Sequence, residues 1–262
     1  MNILSNIFYK RKSVGLVLSG GGARGFFHMG VIKALQELGI KIDYISGTSI
    51  GAVVGAVYAS NPQIDFEKIS REVDFFKLSR ALLLATRNNY KNSIENFLRN
   101  YLKADNFLDL KIPLVFNATD VNRKKEVVFN KGKLFPALVA SVSIPGVFPP
   151  VEIDDHFLVD GGVTNNVPIS LLPPVSKIIV SDITGPIKKI NEKTSPVNVL
   201  YSSVALMQQI ISLQKINLFK RNKIVYLHMN ENKTFILDFR KKNYQKLIDL
   251  GYETLMAQKD LL

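Results

Sequence analysis

The chain is 262 residues long, 47% hydrophobic and free of cysteine, which excludes disulfide scaffolds and thiolate metal centres and supplies enough apolar side chain for one large domain. Its 34 Lys+Arg against 22 Asp+Glu leave a formal net charge of +12. That balance suits an anionic lipid surface, where attraction is about 1 kcal/mol per nearby basic residue, or a merely solvated basic face. No helix-turn-helix or RNA-binding aromatic signature accompanies it, so nucleic acid is not an expected partner.

No linker, fixed-period repeat or low-complexity stretch interrupts the chain, which predicts a single domain over 1–262 with a basic, helical portion over 188–262. The first twelve residues place charge after a short apolar segment, the reverse of a secretory signal. The expected location is cytoplasmic, with peripheral contact at the inner membrane face. Ile3, Leu4, Ile7 and Phe8 read either as a small interfacial patch or as a frayed terminus. The longest charge-free stretch, Leu134 to Val151, holds Pro136, Pro145, Pro149 and Pro150, and so reads as helix end plus loop rather than a membrane span.

In chain order, Val14–Ser19 is apolar without alternation, as a parallel strand buried on both faces should be. A helix over Phe26–Leu38 follows, stopped by Gly39. A second strand, Ile42–Ser46, runs through Gly47 into a small-residue helix over Ile50–Ala59, where Gly51 and Gly55 permit close approach to the sheet. Residues 65–110 read as irregularly helical. Pro113–Asn117 and Glu126–Phe129 form an expected hairpin across a basic turn, and a helix over Leu134–Val142 leads to the rigid loop Ser143–Pro150. Val151–Ile153 and His156–Val159 flank a tight Asp154-Asp155 turn that delivers Asp160. Strands at Lys177–Ser181 and Lys223–Leu227 and helices around 197–219 and 241–259 complete the pattern. Alternation of this kind predicts an α/β fold with three α/β/α layers and a central, mainly parallel sheet.

Two glycine-rich elbows carry the chemistry. In Gly47-Thr48-Ser49-Ile50-Gly51, small neighbours permit a sharp strand-to-helix turn with a hydroxyl at its apex, beside the positive end of the following helix. In Gly20-Gly21-Gly22-Ala23-Arg24-Gly25, amides lie bare of side chains, as an oxyanion hole requires. Arg24 either braces that loop or meets an anionic headgroup. The spacing Gly20-x-Gly22-x-x-Gly25 also satisfies a dinucleotide-binding fingerprint, but the acid at the right distance, Asp43, falls at the start of the second strand rather than its end. A hydroxyl nucleophile needs a base. His28, His156 and His228 are the only histidines; His228 alone fits the chain order of a Ser-Asp-His triad, while Asp160-Gly161-Gly162 offers a carboxylate at a strand end.

These elements, with Ser143-Ile144-Pro145-Gly146-Val147-Phe148-Pro149-Pro150 and Asn166-Val167-Pro168, resemble the patatin-like phospholipase family in its short bacterial form. The likeness spans residues 14–168. It implies a Ser49–Asp160 dyad, lipid acyl hydrolysis through an acyl-serine, and no metal or cofactor. The remaining alternatives are a non-catalytic or activator-dependent lipid-surface protein and, more remotely, a dinucleotide-dependent oxidoreductase. A dyad needs an Asp160 more basic than a free carboxylate of pKa about 3.9, hence a dry site. Ile144, Pro145, Val147 and Phe148, with Leu82 and Leu83 from a leucine-rich segment, are the residues expected to dry it and hold an acyl chain.

Overall fold

The computed structural model describes residues 13–72, 87–187, 189–219, 223–230, 240 and 243–262. The expected acyl-site residues Leu82 and Leu83, and the apolar patch of Ile3, Leu4, Ile7 and Phe8, lie outside them.

Eight strands are described: β1 (Val14–Leu18), β2 (Tyr44–Thr48), β3 (Leu114–Asp120), β4 (Lys125–Phe129), β5 (Val151–Ile153), β6 (His156–Asp160), β7 (Lys177–Asp182) and β8 (Ile224–His228). They form one mixed sheet in the order β5-β6-β3-β2-β1-β7-β8, with β4 also paired to β3. The β3-β2-β1-β7-β8 ladders are parallel; the β3–β4, β3–β6 and β5–β6 pairings at one side are antiparallel.

Side-chain alternation along the parallel strands sorts residues into two cores, because successive Cβ atoms leave a strand on opposite faces. Leu16, Leu18, Ile179, Val225 and Leu227 join the larger core with the helices α1 (Phe26–Glu37), α2 (Ile50–Ser60), α3 (Phe66–Glu72) and α4 (Arg87–Arg99). The same core takes α5 (Leu134–Ser141) and, after α6 (Pro196–Ile216), the last long helix α7 (Tyr244–Met256). Val17, Ile178 and Val180 point the other way, into a smaller core with Val167 and Ile169, closed by Ile216 at the end of α6 and by Phe219. The sheet is therefore sandwiched, thickly on one side and thinly on the other.

Local chemistry accounts for the element ends. Asp154 and Asp155 both adopt positive φ (47° and 60°), the signature of a two-residue type I′ hairpin that aspartate tolerates. Ser195 caps α6 by accepting the Asn198 amide, and Pro196 occupies the first helical position, where its missing N–H is no loss. A Cβ on Gly30 of α1 would collide with the Ile248 carbonyl of α7, and one on Gly251 with the Phe27 carbonyl. Those two glycines let the helix backbones cross in contact, which the sequence pattern did not reveal. The expected strand over Pro113–Asn117 instead runs to Asp120, because β6 extends its pairing beyond the end of β2.

Candidate active site

Strand β3 acts as a ruler. Its Asn117 pairs with Thr48, the last residue of β2, and its next residue, Ala118, pairs with Asp160, the last of β6. The residue that follows Thr48 is thereby delivered beside Asp160, although 111 positions separate them. Ser49 Oγ donates a hydrogen bond to Asp160 Oδ2 at 2.5 Å, and the two residues are only 5% and 7% exposed.

Ser49 sits at the elbow with φ 54° and ψ −124°, a conformation foreign to residues bearing a Cβ, which costs about 1–3 kcal/mol and persists only where surroundings impose it. Those surroundings are visible. Gly51 lies so close to β1 that a Cβ there would strike the Leu18 and Ser19 carbonyls, and a Cβ on Gly47 would meet the Ala52 amide at 2.7 Å. The Ser49 amide is spent on Ser141 Oγ at 3.0 Å, while Ala52 and Val53 donate back to the Ser49 carbonyl. Nothing among the described residues accepts from the Ile50 amide at the head of α2.

Asp160 is positioned from three sides. Its Oδ1 accepts the Gly162 amide at 2.7 Å, its own amide donates to the Ser143 carbonyl at 2.9 Å, and Thr119 Oγ1 donates to its carbonyl at 3.1 Å. Burial pushes its carboxyl up to about 6, against the opposing pull of the Ser49 and Gly162 hydrogen bonds. Through Ser143 the loop Ser143–Pro150 is tied to this carboxylate. Phe148 stacks on Tyr90 at 4.6 Å, and the Tyr90 hydroxyl lies 3.4 Å from Ser143 Oγ. Ile144, Val147 and Phe148 are half-buried and Pro145 is exposed. Tyr90 and Ser141 carried no sequence signal, since neither belongs to a pattern and each acquires its place only by packing.

The glycine loop abuts Ser49: a Cβ on Gly20 would lie 3.3 Å from Ser49 Cβ. Only part of its backbone is unspent. Gly20 N–H donates to the Asn166 carbonyl and Arg24 N–H to the Gly21 carbonyl, whereas no described residue accepts from the Gly21, Gly22 or Ala23 amides. Gly22 has φ 56°, and residues 22–25 wind as one 3-10 turn. Arg24 is buried rather than solvated, and its guanidinium donates to the Thr184 and Ile183 carbonyls. It clamps the loop from behind. Asn166 Nδ2 adds a contact to Thr184 Oγ1 at 3.2 Å and a longer one to the Gly20 carbonyl at 3.4 Å.

A polar girder supports the elbow from below. Thr48 Oγ1 donates to Asn117 Oδ1 and to the Asn165 carbonyl, and the Asn117 and Asn165 amides both donate to Glu126 Oε1. Asn117 follows the apolar run Leu114-Val115-Phe116, which is the one hint a sequence could offer, because buried polar groups require partners.

The histidines fall elsewhere. His28 is fully buried, donating from Nε2 to the Ser19 carbonyl with Nδ1 2.7 Å from Ser181 Oγ; burial lowers its pKa to about 4, so it stays neutral. His156 contacts Asp120 Oδ2 at 2.5 Å, in a corner shared with Arg123. His228, at the end of β8, has its Nδ1 3.6 Å from Oδ2 of Asp182 on β7. Three strand spacings, about 14 Å, separate β8 from β2, so His228 is out of reach of Ser49. His228→Ala is expected to retain ester hydrolysis within about threefold of wild type, measured as kcat/KM on a soluble fatty-acyl ester; a loss of several hundred-fold would restore a triad.

A parallel sheet bearing a serine at a strand-to-helix elbow, faced by a glycine-rich loop and an aspartate, defines a serine-elbow protein of the α/β class. A family model described as patatin-like phospholipase matches residues 16–173, and the chain belongs to that family. It is 35% identical over 194 residues to a patatin-like phospholipase domain-containing protein of Caenorhabditis elegans, an alignment covering 68% of this chain and 14% of the relative. It is 36% identical over 166 residues to an NTE family protein of Mycobacterium tuberculosis, covering 62% and 46%. With the lysophospholipase NTE1 of Mycosarcoma maydis the identity is 34% over 169 residues, covering 61% and 9%. The chain thus spans less than half the length of these relatives. Among solved structures, VipD from Legionella pneumophila superposes with a TM-score of 0.52 at 17% identity, over 95% of this chain and 67% of the other. ExoU–SpcU from the type III secretion system of Pseudomonas aeruginosa gives 0.52 at 18%, over 96% and 52%. At such identities the likeness is one of fold.

Proposed function

We propose that the chain hydrolyses the carboxylic ester of a lipid through an acyl-Ser49 intermediate, with Asp160 as the base acting directly on the serine. The observation that carries this reading is the buried Ser49 Oγ–Asp160 Oδ2 hydrogen bond, made by a carboxylate whose pKa is raised to about 6. A base works best when its pKa approaches ambient pH, and this one remains ionised at neutrality. Family membership and the lysophospholipase relative support a lipid ester as the substrate class.

In the first half-reaction Ser49 Oγ attacks the ester carbonyl while its proton passes to Asp160 Oδ2. The carbonyl oxygen becomes an oxyanion, stabilised by amides that no described residue occupies: Gly21, Gly22 and Ala23 of the loop and Ile50 at the head of α2. The tetrahedral centre collapses, the C–O bond to the alcohol breaks, and Asp160 returns the proton to that leaving oxygen. In the second half-reaction Asp160 takes a proton from water as it attacks the acyl-serine carbonyl; the C–Oγ bond then breaks, Asp160 returns the proton to Ser49 Oγ, and the fatty acid leaves. Within the glycine loop, Gly20 and Arg24 have committed amides and Gly25 closes the turn, so these three shape the loop rather than donate. Ile144, Val147 and Phe148, packed beside the Asp160 strand, are the described side chains assigned to the acyl chain and to excluding water, with Pro145 at the rim; no metal or cofactor has a part.

A serine-directed fluorophosphonate is expected to label Ser49, and kcat/KM on a chromogenic fatty-acyl ester should fall as pH drops through about 6, following protonation of Asp160. Folded protein that neither labels nor hydrolyses, with or without lipid vesicles, would overturn the hydrolase reading in favour of a lipid-surface binding protein.

A further inference from the structure

Helix α6 has one face that no described residue covers. Leu200 (63% exposed), Leu206 (47%), Met207 (56%), Ile210 (48%) and Leu213 (47%) recur at helical spacing and form a continuous stripe. Lys215 is the sole charged residue in the 21 positions of this helix. The opposite face is seated on the active-site side of the molecule. Gln208 Nε2 donates to the Gly162 carbonyl at 2.9 Å, Lys215 Nζ to the Thr164 carbonyl at 3.4 Å, and Ser212 is 2% exposed. Gly162 is the residue whose amide holds Asp160 Oδ1. One helix diameter, about 10 Å, therefore separates the apolar stripe from the loop that fixes the carboxylate.

An exposed apolar stripe of this extent calls for a partner, and charge decides which. Between residues 189 and 223 the chain carries Lys189, Lys193, Lys215, Lys220, Arg221 and Lys223 against Glu192 alone, within a net charge of +12. A second copy of the chain would bring the same net positive charge to this face. An anionic lipid surface complements these cations, and a lipid substrate of the proposed site resides in such a surface. Among the described residues no helix is long and apolar enough to cross a membrane.

We propose that α6 is an interfacial docking helix: its Leu200–Leu213 stripe enters the headgroup–acyl boundary of an anionic bilayer, the flanking lysines meet the headgroups, and the Ser49–Asp160 site is held against its substrate. The inference rests on the lipid-hydrolase reading for its purpose, though its physics requires only the stripe and the charge.

The test uses the full chain with sedimenting vesicles of phosphatidylglycerol and phosphatidylcholine at low and high salt. Wild type and Ser49→Ala should bind phosphatidylglycerol vesicles equally, with binding weakened by salt. Combining Leu206→Gln, Met207→Gln, Ile210→Gln and Leu213→Gln should lower the vesicle partition coefficient at least about tenfold, with hydrolysis of a soluble short-chain ester unchanged. As a check independent of that variant's folding, an environment-sensitive fluorophore at Ile210→Cys should shift to the blue on adding vesicles, and the same probe at Glu253→Cys, exposed on α7 across the sheet, should not. The native chain has no cysteine to compete. Docking is overturned if wild type ignores anionic vesicles, if the quadruple variant binds as wild type does, if the Ile210 probe does not shift, or if the stripe proves to hold together a dimer that no longer binds vesicles. Soluble-ester hydrolysis surviving in Ser49→Ala would instead sink the acyl-Ser49 mechanism and leave the vesicle result standing.

Discussion

Ser49→Ala is expected to lower hydrolysis of a fatty-acyl ester by at least about 10⁴-fold, since removing a nucleophile leaves only the binding and oxyanion contributions. The protein should remain folded. Alanine keeps a Cβ at the same strained φ of 54°, and the amide bond to Ser141 and the α2 contacts through the Ser49 carbonyl involve backbone atoms that alanine retains. The change strips one hydroxyl from Asp160 and nothing else. The checks are kcat by initial rates and the melting temperature by circular dichroism; activity within tenfold of wild type would mean that another group carries the chemistry.

Asp160→Asn should have effects of opposite sign on activity and stability. The amide cannot accept the serine proton, so a loss of about 10⁴-fold in kcat is expected. The carboxyl stands at about 6 in the folded protein against 3.8 for the free group. A folded pKa raised above the unfolded one means that its favourable contribution is complete below pH 3.8, wanes as pH rises through about 6, and leaves a cost at neutrality. At 1.36 kcal/mol per unit that cost reaches up to about 3 kcal/mol. Asparagine removes it while still accepting from Ser49 Oγ or the Gly162 amide. Asp160→Asn should therefore melt several degrees above wild type at pH 7.5, with the gap closing by pH 4. His28, neutral in the fold with a pKa of about 4, loses stability as pH falls from about 6.5 toward 4, but equally in both proteins, so the difference isolates Asp160. Equal melting temperatures at pH 7.5 would show that Asp160 is not held in a dry, unfavourable setting.

The wild-type site thus trades stability for reactivity at three neighbouring points: a serine in a disfavoured backbone conformation, a carboxylate kept from water, and amides without an acceptor among the described residues. Their cost is offset by burial in the two cores that flank the sheet. The girder of Thr48, Asn117, Asn165 and Glu126 transmits that support to the elbow, since each of its side chains reaches backbone or side chain from a different segment.

Much of this was readable in one dimension. Glycines flanking Ser49 announced an elbow, because only small residues allow β1, β2 and α2 to meet so closely, and Asp154-Asp155 announced its hairpin through the positive φ both adopt. Buried strands showed as unalternating apolar runs because each contributes to a core on either face. These signals are local: the turn, cap and burial preferences of a residue act within a few positions of it, and so are written in its immediate neighbours. What tertiary structure alone decided is which distant groups meet. The 2.5 Å contact depends on consecutive positions of β3 pairing with two different strands. The choice of donors in the glycine loop depends on Asn166 claiming the Gly20 amide from 146 residues away. The bare stripe on α6 depends on which half of an almost uncharged helix is seated against the Gly162–Thr164 segment. Pairing register and packing are sums over the whole chain, and no short window contains them.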